Sequence, residues 1–193
     1  MTSRSALHLS FQAGLCLLLT GALTATQLAC NRGKIPQGLP TFELKSASFS
    51  GDTIPNQYSS CGGEANDSPV LTWQSPPART QSLALIVTDP DAPIGNFTHW
   101  VLYDLPPDTR ELPQAILKKE QLPNGSRQGV NDFGEIGYDG PCPPDPSAHR
   151  YVFDLYALDT KLNLPAGASK KQVIAAMNGH ILARGQLTGR FQR

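Results

Sequence analysis

A chain of 193 residues, 39% hydrophobic and with 16 basic against 16 acidic side chains, can bury one sizeable core and shows no basic field of the kind nucleic-acid binders carry. Its 17 glycines and 17 prolines fall short of low-complexity composition, yet they demand many turns. That excludes a long-helix bundle and favours many short strands.

Residues 1–29 read as a secretory signal peptide. Arg4 supplies a positive start, and the apolar stretch from Gly14 to Leu23 is too short to span a bilayer as a stable helix. Gln27-Leu28-Ala29-Cys30 resembles a bacterial lipobox, although an aliphatic residue is usual where Gln27 stands. Cys30 is therefore the expected lipidation site, anchoring the protein in the cell envelope on the periplasmic or outer side. Cleavage after Ala29 to a soluble exported protein is the alternative. Residues 30–40 follow as lipidated cysteine and Gly/Pro-rich tether, and 41–193 as the folded domain. Cys16 leaves with the signal, so the domain keeps only Cys61 and Cys142. Two thiols in an oxidising compartment suggest one disulfide. Without a CxxC pair they do not suggest zinc.

Within the domain, Phe42-Glu43-Leu44-Lys45 alternates as a half-buried strand does, continuing to Phe49 before Gly51-Asp52 turns it. A polar, Gly-rich loop spans Ser59 to Pro69, and a disulfide at Cys61 would matter most there. Val70 to Trp73 is a short strand. Ser82 to Val87 is an almost unbroken apolar run, as in a strand buried on both faces. It leads into Asp89-Pro90-Asp91-Ala92-Pro93, where the prolines fix φ, remove two backbone donors and predict a stiff exposed turn. Thr98 to Leu105 is the next strand, and 108–131 is mixed and loop-like. From Asn131 to Pro144 the density of glycine and proline rules out regular structure, and long irregular stretches inside compact domains are often functional. His149 to Leu158 is a strong strand. Ser169-Lys170-Lys171-Gln172 is a capping box opening a helix with Val173, Ile174 and Met177 on one face. Asn178-Gly179 ends it in a left-handed cap, and Leu182 to Phe191 is a final strand.

Beyond the signal there are three histidines, at 99, 149 and 180. His99 and His149 start strands beside the most irregular loops. Together with Asp89, Asp91 and a glycine-rich backbone they outline a small-anion pocket, because histidine and phosphate both titrate near neutrality and can share a proton. Asp89 would fix a histidine tautomer or meet a cationic part of the ligand. The plainer alternative is a tight loop whose Asp side chains satisfy their own backbone. There is no G-x-S-x-G elbow, Walker A or dinucleotide motif, and Asp89, Asp91 and Asn96 do not have EF-hand spacing.

Several ordered stretches carry a resemblance. They are Asp89-Pro90-Asp91-Ala92-Pro93, His99-Trp100, Gly129 to Gly134, Gly137-Tyr138-Asp139-Gly140-Pro141-Cys142-Pro143-Pro144 and His149-Arg150-Tyr151-Val152-Phe153. Over roughly residues 42–193 the chain resembles the phosphatidylethanolamine-binding protein family, in its bacterial branch often described as Raf kinase inhibitor-like. The resemblance implies a mainly β fold of two packed antiparallel sheets with Greek-key links and a few peripheral helices. It also implies a surface pocket for phosphate or a phosphoethanolamine-like head group, built from Asp89, Asp91, Pro93, His99, Gly137, Gly140, His149 and Tyr151. The extra Cys-Pro of this branch makes the loop glycines the loosest part of the correspondence.

The leading expectation is a non-enzymatic binding module that takes anionic phospho-head groups, with no cofactor, no metal and no nucleic-acid partner. A protein inhibitor of a kinase or protease, working through the same pocket rim, is the second reading. A phosphoester or lipid hydrolase with His149 as base is the third.

Overall fold

The computed structural model describes residues 34–61 and 65–193. The expected signal peptide and the expected lipidation site, Cys30, lie outside the described residues. Among the described residues, nine strands and one α-helix follow in order: β1 (Thr41–Phe42), β2 (Leu44–Lys45), β3 (Leu71–Trp73), β4 (Ser82–Asp89), β5 (Phe97–Leu105), β6 (Glu111–Leu112), β7 (Arg127–Gln128), β8 (His149–Leu158), α1 (Lys170–Met177) and β9 (Ile181–Phe191), with a 3-10 turn at Asn56–Tyr58.

The apolar run of β4 decides the architecture. All eight of its residues are buried, so it needs partners on both edges and cover on both faces. It pairs antiparallel with β5 and β8, and the six-stranded sheet reads β1-β9-β8-β4-β5-β7. The segment β8-β4-β5-β7 has the 4-1-2-3 order of a Greek key. A second, three-stranded sheet, β2-β3-β6, covers one face of the first. Leu44, Leu71, Trp73 and Leu112 from this small sheet share a core with Leu83, Leu85, Val87, Leu102, Phe153 and Leu155. On the opposite face Ala84, Ile86, Val101, Tyr103 and Tyr156 pack against Val173 and Met177 of α1. Each large apolar side chain so enclosed contributes roughly 1.5–3 kcal/mol.

The helix starts as its sequence dictates. Gln172 Oε1 accepts the Ser169 amide at 2.9 Å, the Ser169 hydroxyl accepts the Gln172 amide at 3.4 Å, and Gly179 beyond its end has φ +83°. The start of the domain departs from the single strand expected over Phe42 to Phe49. The chain changes sheets at Glu43, with β1 joining the large sheet and β2 the small one. The β1 to β9 pairing is parallel, whereas every other pairing of named strands is antiparallel. The close approach there requires Gly185, since a Cβ would sit 2.8 Å from the Phe42 ring. Upstream, in the stretch read as tether, Ile35 packs against the helix-side core and the Pro40 carbonyl accepts the Arg184 amide at 2.9 Å.

Cys61 and Cys142, 81 positions apart in sequence, form a disulfide with Cα atoms 5.1 Å apart. It fastens the polar loop after the 3-10 turn to the Gly/Pro-rich segment before β8. Three hydrogen bonds support the same junction. Tyr138 Oη donates to the Tyr58 carbonyl at 2.7 Å, the Ser60 hydroxyl to the Gly140 carbonyl at 3.0 Å, and the Ser60 amide to the Pro141 carbonyl at 3.0 Å.

Candidate functional site

β4 ends where its sequence stops being able to pair, because Pro90 has no N–H to offer. Asp89 is thereby left at the tip of a rigid strand, and both of its oxygens are engaged. Oδ1 accepts the Asp91 amide at 2.8 Å, closing an Asx turn, and Oδ2 lies 2.7 Å from His149 Nδ1 at the start of β8. Asp91 turns the other way. It accepts from the Arg150 amide at 2.9 Å and from Arg150 Nε and Nη2 at 2.8 and 2.6 Å. These bonds hold its carboxyl well below the usual carboxylate range. The turn is thus fixed by two clamps onto β8, one internal and one at the surface.

His99, on β5, places Nδ1 2.7 Å from the main-chain oxygen of Asp139. A carbonyl oxygen can only accept, so Nδ1 carries the proton and the neutral ring keeps its lone pair on Nε2. Burial favours that neutral ring by pushing the His99 pKa down. The Asp139 side chain is itself locked, accepting Lys118 Nζ at 2.6 Å, Asn131 Nδ2 at 2.8 Å and Asn66 Nδ2 at 2.9 Å. Around the imidazole stand Tyr151, Phe97 and Phe133, with ring centroids at 5.1, 5.4 and 5.4 Å in edge-to-face contact.

These groups line a cleft of about 400 Å³. Asp89, His99 and Tyr151 form its polar floor; Pro93, Cys142, Pro143 and Pro144 form walls; Ile94, Phe97 and Phe133 stand at the mouth. Ile94 is 82% exposed and Phe133 49%, a large apolar rim left open to solvent. The Tyr151 hydroxyl is held protonated, its pKa raised by burial and by the neighbouring Asp89 charge.

Of the residues expected from sequence, Asp89, Pro93, His99 and Tyr151 meet in this cleft. His149 stands behind Asp89 and bonds to it, and Asp91 is directed to Arg150. The two glycines serve packing. Gly140 passes so close to the 3-10 turn that a Cβ would lie 2.0 Å from the Tyr58 carbonyl oxygen, and its amide donates to Asn66 Oδ1 at 2.8 Å. Gly137, at φ +99°, lies under Lys118. The glycine-rich stretch therefore braces the wall, and the prolines after it line the cleft. Sequence reading left out Ile94, Phe97 and Phe133. An aromatic residue flanked directly by Asp132 and Gly134, outside any strand pattern, was the available signal for Phe133.

Residues 45–192 match the family described as Phosphatidylethanolamine-binding protein. A protein labelled UPF0098 from Methanothermobacter thermautotrophicus is 51% identical over 140 residues, covering 72% of this chain and 91% of its own length. Among solved structures, a phosphatidylethanolamine-binding protein homologue from Chlamydia trachomatis superimposes with TM-score 0.71 at 39% identity, over 79% of this chain and 98% of that one. YbcL from Escherichia coli, described as a member of the mammalian PEBP family, gives TM-score 0.72 at 32% identity with the same coverage.

Proposed function

The chain belongs to the phosphatidylethanolamine-binding protein family, and on that footing we propose that its domain is a non-enzymatic module binding phosphate or phosphoethanolamine-like head groups. One observation carries the reading: three buried polar groups, Asp89, His99 and Tyr151, converge at the bottom of a cleft that is otherwise apolar. Such a site takes a compact polar head group below and an apolar or aliphatic remainder against Ile94, Phe97 and Phe133. Binding is favoured over turnover because Asp89 already serves His149 and the Asp91 amide, and the lining cysteine is oxidised. The proposal also takes the protein to be exported and held at a membrane through Cys30, a reading that rests on the sequence of residues 1–30.

Isothermal titration with phosphoethanolamine tests the ligand class. Binding is expected, with a loss of at least about tenfold in His99→Ala, equivalent to about 1.4 kcal/mol. Absence of heat with every phosphate ester tried overturns the proposal.

A further inference from the structure

We propose that Lys170, the first residue of α1, is a positioning residue for the cleft: its ammonium holds the turn that bears Ile94 and leads into Phe97, and thereby sets the preference for ligands with an apolar ester group. This rests on the ligand class proposed above and specifies what governs selectivity within it.

The mouth of the cleft is built from two loops that are held unequally. The loop bearing Phe133 is pinned at three points. The Asp132 amide donates to the Thr98 carbonyl at 3.0 Å, Asp132 Oδ2 accepts the Thr98 amide at 2.7 Å, and the Phe133 amide donates to Asn131 Oδ1 at 3.0 Å. The turn bearing Ile94 closes only on itself, with the Gly95 amide on the Ala92 carbonyl at 2.9 Å. The Ile94 side chain is too exposed to hold that turn by packing. Among the described residues, the hydrogen bond that reaches residues 92–96 from another element comes from Lys170 Nζ, which donates to the Asn96 carbonyl at 2.9 Å. Asn96 directly precedes Phe97, whose ring centroid lies 4.8 Å from that of Phe133.

Lys170 stands where helix physics does not favour it. The first turn of a helix carries partial positive charge and suits Asp or Glu, yet the first turn of α1 has no acidic residue and opens with Lys170-Lys171. The Lys170 side chain is also partly buried. That burial pushes its pKa down, with the Asp132 charge acting the other way. A partly desolvated ammonium at this end of a helix opposes stability, and residues that break a local rule in this way mark functional positions. Nor does α1 need the contact in order to dock. Val173 and Met177 are buried on its inner side, and the Ser169 capping box closes its start.

The floor is held by other partners, Asp89 by His149 and His99 by the Asp139 carbonyl. Losing the Lys170 ammonium therefore loosens the mouth and leaves the floor in place. A compact head group should not register the change, whereas an apolar substituent lying against Ile94 and Phe97 should.

The test compares the parent with Lys170→Met, which keeps most of the side-chain length without the charge. Each is titrated with phosphoethanolamine and with its butyl phosphodiester. The parent should bind the butyl ester at least about tenfold more tightly than phosphoethanolamine. In Lys170→Met that preference should shrink to less than about threefold, while affinity for phosphoethanolamine itself changes less than about twofold. The melting temperature of Lys170→Met should equal or exceed the parent's, because an unfavourable cation has left the helix start. Without any ligand, amide hydrogen exchange of residues 94–97 should quicken at least about tenfold. An unchanged preference overturns the inference, as does equal weakening of both ligands with a lower melting temperature, or exchange that stays at the parent's rate. A parent that binds phosphoethanolamine but no more tightly with the butyl group also overturns it and leaves the ligand class standing. If the parent binds neither compound, the ligand class fails and the selectivity with it, while exchange still decides whether Lys170 holds the turn.

Discussion

His149 Nδ1 lies 2.7 Å from Asp89 Oδ2, with both side chains buried, so the first residue of β8 is clamped to the last residue of β4. Replacing Asp89 by Ala leaves two N–H groups without acceptors, the imidazole of His149 and the amide of Asp91. At about 1–3 kcal/mol for each buried donor left unpaired, Asp89→Ala should cost about 3 kcal/mol. Asp89→Asn keeps an acceptor and should cost about 1 kcal/mol. Urea denaturation of the two variants beside the parent reads the difference.

His99 makes stability depend on pH in a known direction. Burial depresses its folded pKa below the ordinary imidazole value of 6.5, so below that pH the unfolded chain binds a proton that the folded one refuses. Stability is therefore full above about pH 6.5 and lost as pH falls from there toward the folded pKa. His99→Phe should flatten this limb of a melting-temperature profile. Asp91 acts in a separate window. Its carboxyl is lowered from 3.8 by the Arg150 hydrogen bonds, so its contribution is present above that value and fades as pH falls below it.

Gly140→Ala and Gly179→Ala separate two reasons for glycine. A Cβ on Gly140 would meet backbone at 2.0 Å, while one on Gly179 has open space but φ +83°. The first should cost about 3 kcal/mol or more, since backbone of the 3-10 turn must move. The second should cost about 1 kcal/mol, the price of a left-handed alanine. Thermal melts of both variants distinguish a steric glycine from a conformational one.

The double variant Cys61→Ser, Cys142→Ser should lose stability but largely keep ligand affinity. Opening a loop of 81 positions removes up to about 4.5 kcal/mol in the chain-entropy account, or a melting point lower by roughly 10 °C. The Tyr138 to Tyr58 and Ser60 to Gly140 and Pro141 hydrogen bonds still hold the two segments together once folded. Phosphoethanolamine affinity is expected to change less than about threefold, measured by the same titration as for the parent.

Where one segment settles its own structure, the sequence was readable. The apolar run of β4, the strong β8 pattern and the Ser169 capping box appear where the residues put them. The two-residue strands β6 and β7 were not readable, because such short pairings are imposed by neighbours and leave no periodicity. The sheet change at Glu43 was hidden for the same reason: Phe42 and Leu44 alternate correctly for one strand, and only their partners Gly185 and Trp73 reveal two. In the site, Asp89 and His99 could be listed as candidates by residue type, and Tyr151 through the family resemblance. That Asp91 would be taken by Arg150, and Gly140 by the Tyr58 backbone, depends on contacts between segments 59 and 82 positions apart.

The last of the nine strands is an interior one. β9 lies between β1 and β8, so Thr41 at one end of the domain has no ladder partner until Arg184 is available. Such long-range closure slows folding and lengthens the life of incomplete states. Until β9 docks, β8, the strand that carries His149 and Tyr151, presents a bare edge open to any other extended segment. The topology thus makes closure of the large sheet wait on the last strand in sequence order.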